Sequence, residues 1–111
     1  MTISNYFFDG ANVPAASTTQ GSVVGANTRR KITAAVVCNK TAVAKTFSAT
    51  VQGSAAGAAI TVISARTIAP GESYLCPELV GRGMNAGGFI QTLADVTGMD
   101  FKYEAFEITN G

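Results

Sequence analysis

From Arg30 onward the chain is broken roughly every 8 to 12 residues by Gly, Pro or Asn, and the runs between breaks are short and β-branched. Lys45 to Gln52 shows the pattern best. Phe47, Ala49 and Val51 fall on one side of an extended strand, and Thr46, Ser48, Thr50 and Gln52 fall on the other. No stretch carries a helical period. This rhythm restricts the chain to an all-β fold, a small β-sandwich or jelly roll, and 111 residues leave room for one domain.

Each segment supports that reading. Arg30 to Asn39 puts Ile32, Ala34, Val36 and Cys38 on one face, and Asn39-Lys40-Thr41 supplies a turn. Ile60 to Ile68 closes on Ala69-Pro70-Gly71, a type II turn in which Pro presets φ and Gly accepts a positive one. Ser73 to Cys76 is a short strand stopped by Pro77. Gly81 to Gly88 holds four glycines and reads as a mobile or closely packed loop. Phe89 to Ala94 is a strand, 95–98 a turn, and Asp100 to Thr109 the last strand. In that strand Phe101, Tyr103 and Ala105 share a face, and Phe106 and Ile108 share the other. The change of phase implies a β-bulge or a strand apolar on both sides. The expected inward set is Ile32, Val36, Phe47, Val51, Val62, Leu75, Phe89, Leu93, Phe101 and Tyr103. Gly10 to Thr28 is uncharged and aperiodic, so residues 1–29 are expected to form an extended N-terminal arm and loop, with the sandwich domain spanning 30–111.

Composition narrows the function. Charged residues make up 14% of the chain, against about 25% in ordinary soluble domains. A net charge of +1 argues against nucleic-acid or membrane partners, which need clustered cations. Arg29-Arg30-Lys31 is too short for a patch and reads as the solvated start of a strand. The absence of histidine removes the commonest general base, zinc ligand and nucleophile partner together. The N-terminal segment lacks a basic region followed by an apolar run, so no secretory signal is expected. Cys38 and Cys76 lie in apolar runs and are expected to be unbridged, buried thiols.

No constellation points to catalysis. Gly81-Arg82-Gly83 with Gly87-Gly88 lacks the helix that a phosphate-cradling loop requires, because Phe89 onward is strand-like. Asp95 and Asp100 flank one turn, Glu104 and Glu107 fall on opposite faces of one strand, and none sits where an apolar context would raise its pKa. No calcium-loop spacing occurs. No enzyme activity, cofactor or metal is therefore expected. Tyr6-Phe7-Phe8 stands out, because three successive aromatics on an extended segment cannot all enter one core. One reading packs Phe7 inward with Tyr6 across the rim. The other makes the cluster an anchor on a neighbouring subunit.

The segments "KITAAVVCNKTAVAKTFSATVQG", "ITVISARTIAPGESYLCPELVGRGMNAGGFIQTLAD" and "DFKYEAFEIT" resemble the small β-sandwich virion proteins of tailed bacteriophages. Within that group they look most like capsid decoration, or cement, proteins of epsilon15-like phages. The resemblance covers the chain from residue 30 onward and rests on turn patterns. It implies a jelly-roll-like fold, self-association as a dimer or other homo-oligomer, and binding to the major capsid protein on the capsid exterior after synthesis in the host cytoplasm. It carries no catalytic residues. The candidate contact residues, chosen from the sequence itself, are Tyr6, Phe7 and Phe8 in the arm and Arg82, Met84 and Asn85 in the glycine-rich loop. The alternative is a phage tail or neck protein, or a receptor- or carbohydrate-binding sandwich module. A sugar site would offer aromatic platforms, and this chain has no Trp and three Tyr.

Overall fold

A computed structural model describes residues 1–10, 13–95 and 98–110, which form strands and turns without a helix. Residues 11–12 of the expected arm, 96–97 of the expected turn and 111 lie outside the described residues. The strands are β1 (Thr2–Gly10), β2 (Thr18–Gln20), β3 (Thr28–Asn39), β4 (Lys45–Gln52), β5 (Ala59–Ile68), β6 (Ser73–Tyr74), β7 (Gly83–Met84), β8 (Phe89–Ala94) and β9 (Met99–Thr109).

They build two antiparallel sheets. One runs β1-β9-β3-β6, with β7 also paired to β3, and the other runs β2-β8-β4-β5. The pairs β1·β9, β2·β8, β3·β6 with β3·β7, and β4·β5 are the successive rungs of one long hairpin. Those rungs alternate between the two sheets, which is the winding of a jelly roll. The fold class expected from the sequence is the one observed.

The expected arm is not separate from the sandwich. β1 pairs residue for residue with β9 from Thr2↔Thr109 to Gly10↔Phe101, and β2 begins the second sheet. Val13, Gln20 and Val24 are buried. Val24 is held by hydrogen bonds in both directions, from its N–H to the Gly88 carbonyl (2.9 Å) and from the Gly87 N–H to its own carbonyl (2.8 Å). An uncharged segment of small residues leaves no periodic trace, yet its few apolar side chains close the core.

Between the sheets Phe47 stacks on Phe101 (centroids 5.7 Å apart), Phe101 meets Tyr103 (5.9 Å), and Tyr103 meets Tyr6 (5.7 Å) and Phe8 (5.9 Å). Four expected inward residues are displaced. The β3–β9 register shifts between Ile32 and Ala34, so Ala35 and Val37 turn inward and Val36 lies half-buried on the outer face. In β8 the register sets Ile90, Thr92 and Ala94 opposite the inward Val51, Ala49 and Phe47, which turns Leu93 to solvent and leaves Phe89 half-buried. Leu75 is 71% exposed, because Cys76, with φ +48°, redirects the chain and sends its own thiol and Leu79 inward. Val62 is half-buried against the core. β9 keeps an unbroken register with β1, so its change of phase is a strand apolar on both faces, and the bulge belongs to β3.

Candidate functional site

The six candidate contact residues separate. Alternation along β1 sends Tyr6 and Phe8 inward onto Tyr103 and turns Phe7 outward, 62% exposed. This reverses the reading that packed Phe7 inward. Tyr6 is fixed further, because its hydroxyl accepts the Ser22 backbone N–H (2.7 Å) and its ring lies 3.8 Å from the Arg30 guanidinium carbon. At the opposite edge of the sheet Met84 is buried, since β7 pairs with β3 and points its side chain into the core. Asn85 is exposed at its side chain, while its backbone N–H donates to the Gly53 carbonyl (2.7 Å). Arg82 is exposed and donates its Nε to the Glu78 carbonyl (2.8 Å). Phe7 and the Arg82–Asn85 loop therefore sit at opposite edges, three strand spacings or about 14 Å apart. The loop is packed. Gly87 has φ +83°, and a Cβ there would collide with Ala55.

What joins these edges is the outer face of the five-stranded sheet. The registers place Ile3, Ile108 and Arg29 in one row, Asn5, Phe106 and Lys31 in the next, and Phe7, Glu104 and Ala34 in a third. Leu75 and Val36 extend the apolar surface. Asp9 and Lys102 pair across it at 3.8 Å, and Lys40 and Asp100 pair near its end at 3.1 Å. Three shallow depressions of about 250 to 320 Å³ lie on this face, one of them floored by Phe106 and Ile108 and rimmed by Lys31 and Asn85. The outer face of the second sheet is mixed, with Leu93 of β8 exposed on it and Ile60 exposed on the edge strand β5. The outward residues of its strand β4 are Thr46, Ser48, Thr50 and Gln52. Ile3, Leu75, Phe106 and Ile108 were not among the sequence candidates. The alternation of Phe106 and Ile108 against Phe101 and Tyr103 was the available signal.

Arg30 corrects the sequence reading most sharply. It is 2% exposed, not the solvated start of a strand. Its guanidinium donates to Glu107 through Nε (3.0 Å), to the Ser22 carbonyl (2.7 Å) and Tyr103 hydroxyl (3.1 Å) through Nη1, and to the Ser22 hydroxyl through Nη2 (2.8 Å), and Nη2 also lies 2.9 Å from Glu107 Oε2 as an ion pair. Each of the three guanidinium nitrogens has a hydrogen-bond partner. Glu107 is correspondingly an inward, half-buried partner and not a solvated edge residue. Burial raises the Tyr103 phenol above its ordinary value even beside Arg30. Burial also acts to raise Tyr6, but hydrogen bonding with Ser22 and the Arg30 charge outweigh it and hold that phenol below the usual range. The cluster is saturated, and its geometry rivets β1, β3 and β9 to the Ser22 loop.

Among the described residues no three Cys, Asp or Glu side chains gather as a metal site. Cys76 is buried, which pushes its thiol up to about 12, and Cys38 lies half-buried on the outer face of β3.

No family model and no curated protein sequence matches the chain. Among solved structures it is similar to a chain in the structure of infectious bursal disease virus, Gx strain, with a TM-score of 0.54 and 13% identity. The match takes in 99% of this chain and 33% of that one, so the chain spans about a third of its neighbour's length. The likeness is one of fold.

Proposed function

We propose that the chain is a structural virion protein that decorates the exterior of a tailed-phage capsid, docking the outer face of its five-stranded sheet on the major capsid protein. One observation carries the reading: an apolar band crosses this face, with Ile3, Phe7 and Leu75 at 62%, 62% and 71% exposure beside Phe106 and Ile108. Scattered exposed apolar residues need no explanation, but a run of them across adjacent strands marks an interaction surface. Charge is low over the chain as a whole, and the charges this face does carry, Arg29, Lys31, Glu104 and the Asp9–Lys102 pair, would need partners on the capsid, because unpaired charge is costly to desolvate. The jelly-roll winding, and its likeness to a chain from a virus structure, agree with a lattice-binding role. A sugar-binding module fits less well. Arg30 covers the Tyr6 ring, Arg66 stacks 3.9 Å over Tyr74, and Tyr103 is buried, so no tyrosine offers an open platform.

The test adds purified protein to phage heads stripped of it and reads bound protein by sedimentation. Stoichiometric binding is expected. Leu75→Lys and Phe106→Lys should each weaken it by about 30-fold, an anchor's worth of about 2 kcal/mol, with melting temperature little changed. Arg82→Ala reports on the loop edge separately. Undiminished binding by both lysine variants, or binding to glycans in place of heads, would overturn the proposal.

A further inference from the structure

Two sheets have four outer edges, and three of them are blunted. β2 is three residues long. β6 and β7 are two residues each. β5 is long, but its pairing with β4 breaks register twice, Ala65 sits at φ +46°, and Arg66 projects from it. Short strands, irregular backbone and edge charge are the usual devices against edge-to-edge pairing. β1 has none of them. It runs nine residues in unbroken register with β9, holds no Pro, Lys or Arg, and carries one charge, Asp9, at its far end.

We infer that β1 is a homodimerisation edge, pairing antiparallel with β1 of a second copy about a two-fold axis at Asn5. The register follows from the side chains. An axis normal to the sheet keeps outward residues opposite outward residues, so it must pass beside a residue. An axis at Asn5 sets Ile3 opposite the partner's Phe7 and Phe7 opposite the partner's Ile3. Two β-branched–aromatic pairs, the type favoured across strands, then form at once. An axis at Tyr6 would set Ile3 against the Asp9 carboxylate, and one at Ser4 would set Ile3 against Asn5. The Asn5 register alone pairs the two exposed apolar side chains of the strand, and it keeps the two Asp9 carboxylates far apart. A second copy is favoured over a foreign strand because this complementarity is internal to β1. The dimer joins two five-stranded sheets into one and makes their apolar outer faces continuous. Self-association is also what the resemblance to decoration proteins implies; the choice of edge and register rests on β1 alone, and association of the isolated protein can fail while capsid binding holds.

Analytical ultracentrifugation at about 100 µM should give twice the 11.4 kDa chain mass. Phe7→Lys and Ile3→Lys should weaken association by about tenfold or more, since each change removes two symmetric pairs. Circular dichroism of the same samples checks that they fold. In a Cys38→Ser background, Asn5→Cys should oxidise to a covalent dimer, because opposed Cα atoms lie within disulfide reach. Asp9→Cys, about 27 Å from its own copy in this register, should stay monomeric on a non-reducing gel. A monomeric wild type, a dimer indifferent to both lysine substitutions, or cross-linking at residue 9 and not at residue 5 would each overturn the inference.

Discussion

Replacing Arg30 with alanine tests whether the cluster around it holds the sandwich together. The side chain is 2% exposed and its partner Glu107 19%, so both stand largely out of water. Alanine deletes four hydrogen bonds, the ion pair and a ring contact with Tyr6, and strands the Glu107 carboxylate in a half-buried position. Removing one member of a buried pair costs about 3–5 kcal/mol, because the other keeps its desolvation without its compensation. For a domain of this size that is a large share of about 5–15 kcal/mol in total, and it corresponds to a fall in melting temperature of about 12–20 °C. The assay is thermal and urea unfolding followed by circular dichroism, run as a cycle with Glu107→Leu and with the double variant Arg30→Met/Glu107→Leu. The double variant should recover much of the loss, since apolar side chains of similar volume have no charge to desolvate. A loss below about 0.5 kcal/mol for Arg30→Ala, the level of an ordinary surface change, would refute the reasoning and restore Arg30 to solvent.

The remaining expectations concern the glycine-rich loop and the thiols. Gly87→Ala should cost about 2–4 kcal/mol, since φ +83° and the collision with Ala55 act together, whereas Gly81→Ala, at φ +88° in open space, should cost about 1–2 kcal/mol; urea midpoints separate them. Burial raises Cys76 from 9.0 to about 12, so an unfolded chain ionises there at a pH where the folded chain keeps its proton. Stability is therefore whole below about pH 9 and falls toward pH 12 by about 1.4 kcal/mol per pH unit, and Cys76→Ala should flatten that fall in urea titrations. In native protein Ellman's reagent should reach Cys38 before Cys76, and unfolded, unreduced protein should titrate two thiols.

The parts of the fold legible in sequence are those in which neighbouring residues carry the signal. The alternation of Phe47, Ala49 and Val51 gave β4 its correct inward face. Pro70-Gly71 announced a turn that the structure closes with a Glu72 N–H to Ala69 carbonyl bond of 3.0 Å and Gly71 at φ +72°. Asn39 supplies its turn as expected, accepting from the Thr41 backbone and hydroxyl, while its amide bridges Val43 and Ile68. The illegible parts depend on partners remote in sequence. Arg30 is rescued in the core by residues 8, 73 and 77 positions away, so no local window distinguishes it from its solvated neighbours Arg29 and Lys31. The bulge in β3 moves every later inward position by one, and an inserted residue has no compositional mark.

Alternation along β1 divides the aromatic cluster between the core and the surface. That three consecutive aromatics cannot share a core was correct, but an arm anchored on a neighbour was one solution, and an edge strand with two occupied faces is another. In the second solution Tyr6 and Phe8 belong to the fold, packed on Tyr103, and Phe7 and Ile3 belong to the surface. Removing residues 2–9 would then strip ring contacts from the core together with the contact surface, so loss of attachment after that deletion says nothing about which was responsible. Substitution at odd positions leaves the inward face of β1 intact. That parity is what lets binding and folding be separated in this strand.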